Sequence, residues 1–326
     1  MTTRNRMTSE KEAGNLSDAE AIQRRTLRAL AGNRVPGFHF AGYFIDFEWP
    51  HVGERDVVQT LEVGAHCTDA DGTVDPAVMG VHVDGVLASS ARRGVAPGAR
   101  LATVNLTLQY TGQAASAGPL SGEALLEGFY EGGAVRHAIT RGVISSGGRP
   151  VCYASGTFVV LPAPPDVKLG PLPWESGGAA PQPLEKKDLT VIERAVVRAA
   201  RAALKAGDAR HAFIERFWGI LPKPAPGGAL CRVKITPQIG NRVGHVQGGI
   251  LLGLAQATAS AAVPGHPAVS TISAWYISPG HGKALTVRSR VIHAGRSFAV
   301  VKTEIRNADR SLVLEAVSNH ASLRTV

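Results

Sequence analysis

The sequence predicts an α+β protein that uses one module twice, each copy an antiparallel sheet wrapped around a central helix. Three observations predict it. Ile250 to Val263 reads as a helix that is apolar or small almost all round, so it must be buried on every side. Alternating stretches follow at Ala284–His293, Phe298–Arg306 and Leu312–Leu323, separated by Gly295 and by Asn307-Ala308-Asp309, the pattern of an antiparallel meander. The first half repeats the same order of helix, strand, glycine turn, small-residue helix and four strands. Joining the two sheets edge to edge would remove two exposed edges.

Bulk composition narrows the class. The chain has 326 residues, 44% of them hydrophobic and 19% charged, enough for two core-forming domains. With 35 Lys+Arg against 26 Asp+Glu the net charge is +9, which favours polyanionic partners, whether nucleic acid or a phosphate-rich small molecule. Aromatics are 6% and are not interleaved with basic residues, which argues against single-stranded nucleic acid. Cys67, Cys152 and Cys231 are scattered without metal-like spacing and read as buried thiols in a reducing compartment. No secretory h-region and no 18-residue apolar run is visible, so a cytoplasmic protein without a membrane span is expected.

In chain order, residues 1–16 read as a disordered tail and 17–160 as the first domain. Ser17-Asp18-Ala19-Glu20 fits a capping box opening a basic helix that stops near Gly32. Tyr43–Glu48 and Arg55–Val63 read as strands, and His66–Met79 as a loop. Gly80 to Arg92 is the first small-residue helix, entered through a glycine turn. Four strand-like stretches follow, at Ala102–Tyr110, Ser121–Tyr130, Ala134–Ile144 and Val151–Val160. Residues 161–187 are rich in proline and glycine and read as a linker, with Trp174 packing back on a domain. The second domain, 188–326, opens on Thr190-Val191-Ile192-Glu193, a second capping box, with Gly207 as the helix stop. Its helix carries Arg194, Arg198, Arg201 and Lys205 at helical spacing, either a solvated face or a landing strip for phosphates.

Aligned on their glycines, the halves set Gly80 and Gly85 on Gly244 and Gly249, an offset of 164. Ala102-Thr103-Val104-Asn105 then falls on Ser270-Thr271-Ile272-Ser273, an offset of 168. A period this long marks a tandem domain.

Asn241-x5-Gln247-Gly248-Gly249, Ser270 through Tyr276 to Pro279, and His293-Ala294-Gly295-Arg296 together resemble the acyl-CoA thioesterases of the hotdog fold, in their tandem or double-hotdog arrangement. Residues 225–323 carry the resemblance; residues 40–160 match only through the repeat. It implies hydrolysis of a thioester, with coenzyme A bound as part of the substrate, no other cofactor, no metal, and pairing of tandem units into a homo-oligomer. It also implies a carboxylate two turns into the central helix, a hydroxyl on the next strand and an amide on the last strand. Gln256, Thr271 (or Ser273) and Asn319 fall on those places, and Gln247 stands where the family has histidine.

The residues themselves supply a carbonyl-binding group. The N–H groups of Gly248 and Gly249 open a helix, where the dipole favours a developing oxyanion. Gly85 is the expected counterpart in the first copy. Asn241 either contacts substrate or caps its own turn. The base is harder to place, because an amide at Gln256 cannot take a proton and Arg92 is the expected equivalent in the first half. Asp84, read as the opening of its helix, would then face Gln256 across the interface and act as base, or merely cap its helix. His82 and His245 are reserve bases. Arg296, in a hairpin turn, would hold a coenzyme A phosphate or stand solvated.

Two other readings remain open at the level of sequence. His82-Val83-Asp84 resembles part of an enoyl-CoA hydratase or dehydratase signature, with Ala77 where an acid belongs. A non-catalytic acyl-CoA-binding double hotdog would account for Gln256 and Arg92.

Overall fold

The first half of the chain runs α1 (Asp18–Arg34), α2 (Phe40–Ile45), β1 (Glu48–Val52), β2 (Asp56–Glu62), α3 (Pro76–Ala91), β3 (Arg100–Tyr110), β4 (Pro119–Tyr130), β5 (His137–Ser146) and β6 (Arg149–Leu161). The second half repeats it as α4 (Val191–Lys205), α5 (Phe213–Trp218), β7 (Lys223–Ala225), β8 (Gly228–Lys234), α6 (Gly248–Ala262), β9 (Ala268–Tyr276), β10 (Ala284–Ala294), β11 (Phe298–Asn307) and β12 (Leu312–Ala321). This computed structural model describes residues 17–35, 39–116, 118–163, 165, 169–175, 181–206 and 210–322. The expected tail, the helix stop at Gly207 and the strand end at Leu323 lie outside the described residues.

All twelve strands form one antiparallel sheet, ordered β1-β2-β4-β5-β6-β3-β9-β12-β11-β10-β8-β7. Read inward from either edge, each half has the same strand order, so the sheet is two copies joined at β3 and β9. That seam pairs Asn105 with Trp275 through Gln109 with Thr271. At its centre the Thr107 and Ser273 hydroxyls are 3.0 Å apart, on the pseudo-two-fold axis. Beyond Asn105 and beyond Thr271 the two strands part.

Central helices α3 and α6 lie side by side under the sheet, and glycines set their spacing. A Cβ on Gly80 would come 2.2 Å from Gly249 O, one on Gly249 2.2 Å from Gly80 O, and one on Gly253 2.1 Å from Ala77 Cα. These contacts run antiparallel, so the N-terminus of α6 sits beside the middle of α3.

The repeat includes the opening helices, as the sequence suggested. The capping boxes of α1 and α4 are both formed, by Ser17 with Glu20 and Thr190 with Glu193. Arg34 grips Glu193 through both carboxylate oxygens at 2.7 Å, holding that carboxyl down at about 2. Helix α2 replaces the strand expected at Tyr43–Glu48. Phe40 and Phe44, one turn apart, pack on Phe217 at ring distances of 6.2 and 5.2 Å, and His39 accepts the Gly42 N–H to start the helix. Tertiary packing of this aromatic face outweighs its strand-like composition.

The main correction concerns α3. It starts at Pro76, not at a glycine turn near Gly80. Asp75 caps it, accepting from Ala77 N–H at 2.7 Å, and proline fits the first helical position because no partner is needed for its missing N–H. Gly80 and Gly85 are interior residues of the helix, kept small for packing.

Candidate functional site

Corrected helix starts change the alignment of the two copies. Asp75 and Gln247 are the helix caps, an offset of 172 rather than 164. The loops before them agree: Asn241 Oδ1 accepts from Val243 and His245 N–H, and Asp69 Oδ1 accepts from Asp71 and Thr73 N–H, all at 3.0 Å. Thr68 bridges Val74 as Gly240 bridges Val246. Asn241 therefore caps its own loop.

On this alignment Asp84, not Arg92, is the counterpart of Gln256. In the strands, the bulges at Val104 and Ser270 are equivalent, an offset of 166 rather than 168, which sets Thr103 on Val269 and Tyr110 on Tyr276. A bulge flips the facing of the residues beyond it. Thr271 and Ser273 consequently face away from the helices, and Asn319 donates to Thr271 Oγ1 at 2.7 Å on that outer surface. They do not join Gln256, contrary to expectation.

Two pseudo-equivalent sites result, and they are unlike. In the first, Asp84 is buried and its carboxylate is held on both oxygens. Thr103 Oγ1 donates to Oδ1 at 2.8 Å and Gln247 Nε2 to Oδ2 at 2.8 Å, with a further bond from Gly249 N–H. The Gln247 amide cannot turn over, because its Oε1 accepts the Ile250 N–H at 2.9 Å. Burial raises the Asp84 carboxyl to about 6, and the three donors oppose that rise. Among the described residues nothing accepts from Gly248 N–H. It heads α6 beside the carboxylate: a Cβ on Gly248 would lie 3.0 Å from Asp84 Oδ2 and 3.1 Å from Thr103 Oγ1. Tyr276 hydroxyl donates to Gly248 O at 2.9 Å and fixes that peptide.

This site opens into a cleft of about 1020 Å³ that passes between the first half of β3 and residues 276–280, where β3 and β9 have parted. Its wall includes Asp84, Gly85, Thr103, Asn241, His245, Gln247, Gly248 and Tyr276.

The second site has the same two residue types in exchanged places, Gln256 on the helix and Asp75 at the cap. Tyr110 hydroxyl donates to Gln256 Oε1 at 2.8 Å. Pro76 stands where Gly248 stands and has no N–H, Val269 stands where Thr103 stands, and Asp75 itself takes the Ala77 and Val78 N–H groups. No carbonyl donor is left at the helix start, and the cap takes up Oδ1 of the Asp75 carboxylate.

Several expectations therefore change. Asp84 and Gln256 belong to separate sites, because the antiparallel helices put Asp84 beside Gln247 and Gln256 beside Asp75. Gly85 lies in the interior of α3, where backbone N–H groups are spent within the helix, so it offers no oxyanion donor. His82 is buried against Phe47 and Gly122, away from Asp84, and burial depresses it to about 3; the hydratase-like pairing does not form. Arg296 is exposed in the β10–β11 turn, where His266 Nε2 lies 2.8 Å from Gly295 O just past the C-terminus of α6. It stands at the wrong end of the helix for the cleft. Thr103, Tyr276 and Arg92 line the site and were not assigned to it. The signal for all three was available, since Asp69-x5-Asp75 repeats Asn241-x5-Gln247 and fixes the true offset.

Comparison with known proteins agrees with this architecture. Residues 236–321 match the family described as the acyl-CoA thioesterase N-terminal domain. No curated protein matches the chain. An oleoyl thioesterase from Lactobacillus plantarum superposes with a TM-score of 0.52 at 9% identity, over 82% of this chain and 97% of that one. The tesB protein of Mycobacterium avium subs paratuberculosis superposes with a TM-score of 0.50 at 14% identity, over 85% of this chain and 96% of that one. At such identities the likeness establishes the fold. The second module thus carries the likeness to the acyl-CoA thioesterase N-terminal domain family, and the chain as a whole has the double-hotdog fold of these neighbours.

Proposed function

We propose that the cleft at Asp84 is where this chain hydrolyses acyl-CoA to free acid and coenzyme A, with Asp84 as the general base. One observation carries the reading: a buried carboxylate lies against Gly248, which heads a helix and lines the cleft. The substrate carbonyl oxygen accepts from Gly248 N–H, where the helix dipole favours the charge that develops on it. Asp84 takes a proton from water as the water oxygen bonds to the carbonyl carbon. Collapse of the tetrahedral intermediate breaks the C–S bond, and the leaving sulfur takes the proton back from Asp84. Thr103, Gln247 and Gly249 N–H orient the carboxylate, and Tyr276 fixes the Gly248–Gly249 peptide. Arg242 and His245 on the cleft wall, rather than Arg296, take the coenzyme A phosphates.

Among the described residues no helix is long and apolar enough to cross a membrane, and the three cysteines are free and buried, which supports a reducing, cytoplasmic setting. Thiol release from a series of acyl-CoAs, followed for wild type and Asp84→Asn, tests the proposal. No release from any acyl-CoA, or release undiminished in the variant, removes it.

A further inference from the structure

The cleft carries a cation where an ordinary acyl group would place only methylenes. Asp84 and Ala88 on α3 and Arg92, which caps its C-terminus in helical conformation, follow one another at intervals of four, so they form one stripe, and all three line the cleft. Eight residues of helix put the Arg92 backbone about 12 Å beyond that of Asp84. The wall around them includes the small or apolar Ala88, Val95, Leu101, Phe158 and Leu172, with Ser89, Arg93 and Glu175 as its polar members. Leu172 and Trp174 roof this arm, and Trp174 is held in place by Trp49 at a ring distance of 5.4 Å.

Arg92 is only partly satisfied there. Its Nη1 donates to Ala99 O at 3.0 Å. Among the described residues no carboxylate lies within ion-pair distance, although Glu175 is near enough to favour its charge against the cost of burial. A guanidinium has five donors in a planar fork that suits a carboxylate. An alkyl terminus in this arm would leave those donors without partners, which binding sites penalise heavily.

We propose that the acyl group this site prefers carries a negative charge at its far end, as in a coenzyme A monothioester of an α,ω-dicarboxylic acid, and that Arg92 binds the distal carboxylate. The inference rests on the thioesterase reading of the Asp84 site and adds the class of acyl group. Arg92 determines specificity and takes no part in the bond-breaking step.

The test compares adipyl- and suberyl-CoA with hexanoyl- and octanoyl-CoA, in kcat/KM for thiol release. The diacid thioesters are expected to be favoured at least about tenfold in one matched pair, the scale of a charge-assisted hydrogen bond. Arg92→Gln should remove that preference while leaving kcat on hexanoyl-CoA within a few-fold, and Arg92→Lys should retain part of it. Thermal melting of each variant separates lost recognition from lost folding, since Arg92 also ties down the loop at Ala99. Equal or better use of the monoacyl substrates by wild type overturns the proposal. So does an Arg92→Gln variant that weakens both series alike, because Arg92 would then serve coenzyme A or the loop. If neither series releases thiol, the thioesterase reading fails separately. Calorimetric binding of the same four compounds to Asp84→Asn still decides the matter, with tighter binding of the diacid thioesters expected and its absence fatal.

Discussion

Gln247 donates its amide to Asp84 Oδ2 at 2.8 Å across the boundary between two copies of one module, so neither copy holds a complete site alone. The second copy supplies a helix start with a free N–H, and the first supplies the carboxylate and the Thr103 hydroxyl. Four consequences can be measured.

Asp84→Asn keeps the shape and the Thr103 contact but cannot accept a proton. Thiol release should fall by about 10²–10⁴-fold, the usual contribution of a positioned general base. KM should change little, because the carbonyl donor is untouched. Steady-state kinetics on the best acyl-CoA decides it.

On the proposed mechanism Asp84 acts in its unprotonated form, and burial raises its carboxyl to about 6. Activity should therefore rise as pH increases through about 6 and level off above it. A profile that is flat between pH 5 and 7, measured as kcat/KM, would assign the proton transfer to another group. Tyr276→Phe offers a second handle. Without the bond to Gly248 O the Gly249 N–H is held less firmly on Asp84, so the midpoint should move upward and kcat should drop by about tenfold.

The exchanged pair at Gln256 and Asp75 predicts one acyl-CoA site per chain. Calorimetric titration of Asp84→Asn with an acyl-CoA should give a stoichiometry near one. Gln256→Asp should leave the wild-type rate within about twofold, since Pro76 still provides no N–H. A stoichiometry of two, or a gain in rate, would show that the second crevice works.

Replacing Gly253 with alanine drives a Cβ to 2.1 Å from Ala77 Cα, a backbone contact that no rotamer can relieve. Overpacking of this kind costs about 1–3 kcal/mol. Melting should come several degrees lower, and activity should fall with it because the helix separation sets the distance from Gly248 to Asp84. A control at Gly265, where a Cβ meets nothing within 4 Å, should be neutral.

The fold was legible because its signals are physical necessities. A helix without a charged face, such as Leu251–Ala262, has nowhere to go but inside, and the meander after it alternates with period two. What misled was glycine. Gly80 and Gly85 look in sequence like the turn residues Gly244 and Gly249, but of the four only Gly244 adopts a positive φ; Gly80 is small so that another backbone can touch it. That one substitution of cause moved the alignment by eight residues and set Asp84 at the wrong end of its helix. The strand error had a similar origin, since bulges at Val104 and Ser270 are invisible in a pattern of alternation and invert the face on which Thr271 and Thr103 appear.

Because Gly80 and Gly249 touch backbone to backbone, the gap between base and carbonyl donor is gauged by main-chain atoms rather than by side chains. Drift elsewhere in the core can then reshape the acyl arm around Ala88 and Arg92 without retuning the reacting distance. New substrate preferences in this scaffold are accordingly open to small steps, whereas giving the second crevice the groups of the first demands simultaneous change at Asp75, Pro76, Gln256 and Val269.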